Sequence, residues 1–308
     1  MNKWTCSEPY NTVYLEQKQN ALEVAPCCVA RTQPYDHTVE LYDQSSLKHV
    51  RQQFDEGTVP LACDYCVLNE KKGIPSRRQA RQEPLVNTVK NLEIHLGNYC
   101  NLKCVICSNR WSSAWRKDAQ ALGLPTFDNF KFDPDSITAD LSTVEWLHFN
   151  GGEPLFTDVH LDILRRIPNP LECCVYYNTN GTIRVDDSVF EIWSKFKLVK
   201  LIFSIDDVGE RFNYQRTNAD WEEVQSNMFW YRDHAPVNMM FGINRTISQL
   251  NQPYLEDLNE WFANSFPTNR LGDPNDFSEQ AATGYCSLDS ENFEDYIAKL
   301  NSVRQVTV

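Results

Sequence analysis

From residue 91 onward the chain alternates short apolar runs with helix-like segments, and most of the runs end in glycine, asparagine or another polar residue. Strands are expected over 91–96, 144–149, 172–177, 198–205 and 237–243. Helices are expected over 112–122, 158–166, 188–196, 220–232 and 253–262. Strand–helix alternation implies βαβ units on a parallel sheet. Right-handed crossovers would curl that sheet into a partial or full barrel, with its active face at the strand C-termini. The 42% hydrophobic content is spread through short segments, none long enough to cross a bilayer.

The first strand runs into Asn98-Tyr-Cys-Asn-Leu-Lys-Cys-Val-Ile-Cys107, which spaces Cys100, Cys104 and Cys107 as C-x3-C-x2-C. Soft thiolates this close select an iron–sulfur cluster, zinc or Cu(I). Three of them cap three corners of a cubane cluster and leave one iron open. A closed zinc site needs a fourth ligand, for which His95 is the nearby candidate, although it lies back along the strand.

Three later strand ends carry polar groups. The strand at 144–149 enters Asn150-Gly-Gly-Glu-Pro154. Gly151 and Gly152 lack Cβ atoms, which lets the backbone approach a ligand, and Glu153 can accept a charge-assisted bond from an ammonium group. A plain strand-to-helix turn closed by Pro154 is the alternative. The next two runs lead into Asn178-Thr-Asn-Gly181 and Ser204-Ile-Asp206. Parallel α/β folds gather their ligands at such strand C-termini.

With these motifs in this order, the chain resembles the radical S-adenosylmethionine enzymes, and most closely members with a twitch- or SPASM-type auxiliary cluster domain. The resemblance covers residues 6 to about 261 and is most specific in the cysteine loop. It implies an α/β fold: a partial (β/α)6 radical SAM barrel with a small cysteine-rich N-terminal domain. It also implies a [4Fe-4S] cluster on Cys100, Cys104 and Cys107, whose open iron binds S-adenosylmethionine. The reduced cluster would cleave the sulfonium to a 5′-deoxyadenosyl radical that abstracts hydrogen from a peptide, protein or sugar-like small molecule. Gly151, Gly152 and Glu153 would contact the methionine amino group. Asn180, Ser204 and Asp206 would lie near the ribose and the methionine carboxylate, with Arg216 as the carboxylate's partner. A reductant such as flavodoxin or ferredoxin is implied as well. Ile106 departs from the aromatic residue that many members place before the third cysteine, which weakens adenine stacking there.

Ahead of this region lie Cys6, Cys27, Cys28, Cys63 and Cys66, the last two as a C-x2-C pair that suits a zinc knuckle or a second cluster. The resemblance favours an auxiliary [4Fe-4S] cluster on Cys6, Cys27, Cys63 and Cys66, with Cys28 as the alternative to Cys27. Glu70 and the Ser76-Arg77 pair match the elements that follow in such domains, while Ala21 lies near a missing glycine. The expected organisation is a cysteine-rich unit over 1–85, a barrel over 86–264 and a C-terminal segment over 265–308. That segment holds an acidic amphipathic helix over 291–300, and residues 71–82 read as a linker with a basic patch. A sixth barrel strand, implied by the family after Ser265, is not legible.

Cys173 and Cys174 are adjacent on a strand and read as core, and Cys286 sits in a polar tail. Trp111 and Trp115, four apart on the helix leaving the loop, read as a shared packing face. Eleven cysteines without an export leader favour metal over disulfides, and a cytoplasmic chain. A formal charge of −13 argues against nucleic acid as a partner. Two alternatives remain: an iron–sulfur electron carrier without substrate chemistry, and a zinc-stapled interaction protein.

Overall fold

The computed structural model describes residues 4–266 and 293–305. Eight strands form one sheet in the order β3-β2-β1-β4-β5-β6-β7-β8. They are β1 (Thr12–Gln17), β2 (Leu22–Ala25), β3 (Gln33–Pro34), β4 (Asn91–His95), β5 (Trp146–Asn150), β6 (Cys174–Thr179), β7 (Leu198–Ser204) and β8 (Met239–Asn244). From β4 to β8 each strand pairs in parallel with the next, and all five coincide with expected strands. A sixth parallel strand is β1, which registers against β4 from Thr12↔Asn91 to Glu16↔His95. The cysteine-rich front is therefore built on the same sheet, extended at its edge by antiparallel β2 and β3. Where the resemblance implied a sixth strand, residues 267–292 lie outside the described residues, as does Cys286.

Strand alternation separates two faces. On β7, Val199, Leu201 and Phe203 are buried in the core, whereas Lys200, Ile202 and Ser204 on the other face are only half-buried. The buried face continues through Leu92, Ile94, Leu147, Phe149, Val175 and Tyr177 into one cluster with helix residues such as Ile163, Trp193 and Val224. Burial of that layer from water is the main force holding the helices to the sheet. The opposite face is polar in its middle: Glu93, His148, Tyr176, Asn178 and Lys200 occupy neighbouring register positions. Cys173 and Cys174 are buried.

Helix starts follow local chemistry. Asp220 accepts from Glu223 N at 3.2 Å ahead of the helix Trp221–His234, and Asp186 accepts from Ser188 N at 2.9 Å ahead of Asp187–Trp193. Two local expectations are corrected, and one helix was not anticipated. The segment after the cysteine loop is a 3-10 turn, Ser113–Trp115, and a short helix, Arg116–Ala121, so Trp111 precedes the helix and shares no helical face with Trp115. Within residues 71–82, Arg77 and Arg78 are not solvated charges: Ser76 caps the helix Arg77–Ala80, and their side chains are 20% and 12% exposed in ion pairs. The helix Gly209–Gln215, which leads into Arg216, carries no apolar period in so short a run. Among the described residues, no helix is long and apolar enough to cross a membrane.

Candidate cluster and cofactor site

The cysteine loop leaves β4 through Gly97, whose φ of +116° suits glycine and where a Cβ would lie 2.3 Å from Phe130 O. Asn98, with no exposed surface, fixes the next step: its Nδ2 donates to Asp128 O at 3.0 Å, and its Oδ1 accepts from Phe130 N at 3.0 Å. Ser113 Oγ then accepts from Cys100 N at 3.2 Å and donates to Cys100 O at 3.1 Å. Farther on, Lys103 N donates to Thr217 O at 3.0 Å and Val105 N to Gln215 O at 2.7 Å. Trp115 Nε1 donates to Cys104 O at 2.8 Å.

The loop holds its three sulfurs in a desolvated setting. Burial pushes the Cys100 thiol up to about 12, and the neighbouring Cys104 and Glu153 add to it. Burial also raises Cys104 and Cys107, with the nearby Arg216 pulling both the other way. Thiolates this expensive to charge need a compensating cation, which is what a bound metal supplies to a cysteine donor set. Among the described residues no three His, Cys, Asp or Glu side chains are gathered as a ready metal-ion site. His95, the candidate fourth zinc ligand, keeps its buried Nε2 without a hydrogen-bond partner among the described residues. It is 4% exposed, its Nδ1 accepts from Gly97 N at 3.3 Å, and its ring packs against Trp111 with centroids 4.8 Å apart. Three free thiols on one short loop are the donor chemistry that an iron–sulfur cluster takes.

Gly151 and Gly152 follow β5 at φ +88° and +49°. A Cβ on Gly151 would lie 2.4 Å from His95 Nε2, and one on Gly152 would lie 2.2 Å from Tyr99 O. The space the glycines provide is thus filled by the protein's own histidine and cysteine-loop backbone. Glu153, 3% exposed, accepts from Asn180 N at 2.6 Å, Thr179 Oγ1 at 2.8 Å and Leu155 N at 3.1 Å. Burial nevertheless pushes its carboxyl up to about 7.

Asn180 joins the third strand end to the loop. Its Nδ2 donates to Asn101 Oδ1 at 2.9 Å and lies 3.8 Å from Cys100 Sγ. Asp206, after β7, is buried and holds Arg216 in an ion pair at 2.8 Å, while its Oδ1 accepts from Thr246 N at 2.8 Å. Arg216 is 7% exposed, not a solvated surface charge, and its buried Nε has no hydrogen-bond partner among the described residues. Ser204 is half-buried at the end of β7, registered with Asn244. The motifs at the ends of β4, β5, β6 and β7 thus meet around the cysteine loop.

A second group forms at the front. Cys6, Cys27, Cys63 and Cys66 line one cavity with Glu8, Arg77 and Arg78. Burial pushes the Cys6 and Cys63 thiols up to about 12, with Cys66 adding to both. Cys28 is not part of that lining; its Sγ accepts from Arg77 Nη1 at 3.3 Å. Glu70 accepts from Ser76 Oγ and from Arg78 Nε at 2.9 Å, which holds the segment after the C-x2-C pair against the cavity wall. Arg77 Nε donates to Glu8 Oε1 at 3.0 Å, and its Nη2 donates to Glu93 on β4, which links this cavity to the polar sheet face.

Residues not anticipated from sequence complete the frame: Asn98, Asn101, Ser113, and from the C-terminal helix Tyr296 and Arg304. Asn98 and Asn101 bracket Cys100 in the motif itself, so their polarity was the available signal. The helix residues offered none.

No family model matches the chain, and no curated protein matches it. A solved structure described as native anSMEcpe with bound AdoMet aligns at 18% identity over 56% of this chain and 49% of that one, with a TM-score of 0.41. Streptococcus suis SuiB bound to S-adenosylmethionine aligns at 13% identity over 98% of this chain and 70% of that one, with a TM-score of 0.41. Coproporphyrinogen III oxidase (HemN) from Escherichia coli, described as a radical SAM enzyme, aligns at 11% identity over 70% and 52%, with a TM-score of 0.36. The matched region spans about half the length of the anSMEcpe chain. Overlaps this loose carry no functional argument.

Proposed function

We propose that the chain is a radical S-adenosylmethionine enzyme. The observation that carries this reading is the joining of three motifs at adjacent strand ends. Glu153 N donates to Tyr99 O at 2.8 Å, and Asn180 Nδ2 donates to Asn101 Oδ1 at 2.9 Å, both onto the loop that bears Cys100, Cys104 and Cys107. A bare electron carrier has no use for polar strand ends gathered on its cluster loop.

In this reading the three cysteines hold a [4Fe-4S] cluster with one open iron, on a partial barrel of the six parallel strands β1 and β4–β8. When bound and reduced, such a cluster would supply one electron for splitting S-adenosylmethionine into methionine and a 5′-deoxyadenosyl radical able to abstract hydrogen. Arg216 presents its unpaired Nε as a donor for the methionine carboxylate, while Asp206 holds the guanidinium in place. Glu153, beside Cys100, is assigned the methionine ammonium, with Gly151 and Gly152 forming the close-packed turn that brings it there. Asn180 and Ser204 flank the position of the ribose. The polar face with Glu93, His148, Asn178 and Lys200 is where a peptide or sugar-like substrate would lie. Cys6, Cys27, Cys63 and Cys66 hold the auxiliary [4Fe-4S] cluster within the 1–85 unit. A cytoplasmic flavodoxin or ferredoxin would serve as reductant.

Anaerobic reconstitution followed by reduction with S-adenosylmethionine tests this. Formation of 5′-deoxyadenosine that is lost in Cys104→Ala but retained in Cys63→Ala supports the division of roles. Equal loss in both variants contradicts it.

A further inference from the structure

The helix Phe293–Arg304 lies on the cysteine loop rather than on the sheet. Its Leu300, with no exposed surface, and Tyr296 form a small separate core with Val105 and Trp115. Three successive loop carbonyls are each held by a side chain. Arg304 Nη2 donates to Lys103 O at 2.6 Å, Trp115 Nε1 to Cys104 O at 2.8 Å, and Tyr296 OH to Val105 O at 2.9 Å. The amides of Lys103 and Val105 are bonded to Thr217 and Gln215. The backbone is therefore fixed on both sides of Cys104.

Arg304 has the most contacts in this arrangement. Its side chain is 3% exposed, its Nε donates to Asp118 Oδ2 at 2.6 Å, and its Nη1 donates to Thr217 Oγ1 at 2.8 Å. The guanidinium carbon lies 4.7 Å from the Trp115 ring centroid. Asp118 also takes Lys103 Nζ at 3.0 Å, so one carboxylate faces two cations and a net positive charge remains. Through the Lys103 carbonyl, that charge sits one residue before Cys104 in the loop.

We propose that Arg304 is a positioning residue for Cys104: it pins the backbone before the cysteine and sets a buried positive charge one residue from it in the loop. The C-terminal helix thereby sets both the retention and the reduction potential of the group bound there. This rests on the cluster reading above. Adding an electron makes a cluster more negative, so a buried cation nearby favours the reduced form. Arg304→Gln removes charge and fork together, whereas Arg304→Lys keeps the charge alone.

Two measurements on the full chain test the proposal. In metal-free protein, amide exchange at Lys103 and Val105 should quicken by about tenfold or more in Arg304→Gln, as expected for losing charge-assisted hydrogen bonds, with β6 amides unchanged. In reconstituted protein, the midpoint potential of the signal that depends on Cys104 should move to more negative values in Arg304→Gln and stay near the parent in Arg304→Lys. Loss of that signal in Arg304→Gln with retention in Arg304→Lys also supports the charge role. Unchanged loop exchange overturns the positioning role. An unchanged potential in Arg304→Gln, or equal shifts in both variants, overturns the charge role. If the parent takes up no cluster, the functional reading fails, while the exchange measurement still decides the positioning.

Discussion

The main-chain amide of Glu153 donates to the carbonyl of Tyr99 across 2.8 Å, and this bond ties the Gly-Gly-Glu turn directly to the cysteine loop. Gly152 is the residue that permits the approach, since a Cβ there would fall 2.2 Å from the same carbonyl. Backbone cannot give way as a flexible side chain does. Gly152→Ala should therefore destabilise the metal-free protein by about 3 kcal/mol, combining a strained positive φ with the clash. Gly151→Ala meets a histidine side chain instead and should cost less. Denaturant unfolding of both variants checks the order; equal stability of Gly152→Ala and the parent would refute the packing argument.

At the front cavity the two adjacent cysteines should behave differently. Cys27 shares the lining with Cys6, Cys63 and Cys66, whereas Cys28 takes a hydrogen bond from Arg77 outside it. Iron analysis after reconstitution should show Cys27→Ala losing one cluster's iron and Cys28→Ala keeping it. The reverse pattern would assign the ligand to Cys28.

Arg77 bridges Glu8 and Glu93, whose side chains are 4% and 6% exposed. Burial raises the Glu8 carboxyl, while on Glu93 the hydrogen bond from His148 and the charge of Arg77 together outweigh burial and hold it low. Removing the cation leaves two buried carboxylates without it, so Arg77→Ala should lose about 3–5 kcal/mol at neutral pH. Without Arg77 both carboxyls titrate higher than in the parent, Glu8 further above its ordinary range, so the penalty grows as pH rises. The deficit should therefore narrow as the buffer is taken toward pH 5, as read by urea unfolding of the metal-free chain.

His160 gives a clean acid dependence away from the cysteines. It is buried, its Nδ1 lies 2.8 Å from Tyr177 OH, and burial pulls its pKa down to about 3. A folded value below the unfolded one means that its stabilising share is complete above about 6.5 and is lost as pH falls through that value toward 3. The loss amounts to about 1.4 kcal/mol per pH unit within the window. His160→Gln should flatten the stability profile there; an unchanged slope would show that the imidazole titrates freely in the folded state.

Local pattern made much of the core fold readable. β7 alternates a buried set with a half-buried set, and β4 through β8 follow their apolar runs to within a few residues. The cysteine spacing and the polar strand ends were equally visible, because each is a short contiguous motif. What escaped was long-range. Tyr296 and Arg304 reach the loop across 191 and 201 residues, and no periodicity reports such a contact. β1 was read only as part of a cysteine-rich front, yet it pairs with β4. Gly151 and Gly152 were read as room for a ligand, whereas the room is taken by His95 and Tyr99. Between Cys27 and Cys28 a one-residue shift changes which thiol enters the cavity, and only three-dimensional placement separates them.

The most direct measurement is the electron paramagnetic resonance spectrum of the reduced, oxygen-free Cys63→Ala protein, recorded with and without S-adenosylmethionine. The account predicts a cluster signal from the Cys100, Cys104 and Cys107 loop that changes when the sulfonium cosubstrate is added, as an open iron requires. A signal indifferent to S-adenosylmethionine, or a loop that binds only zinc, would contradict it.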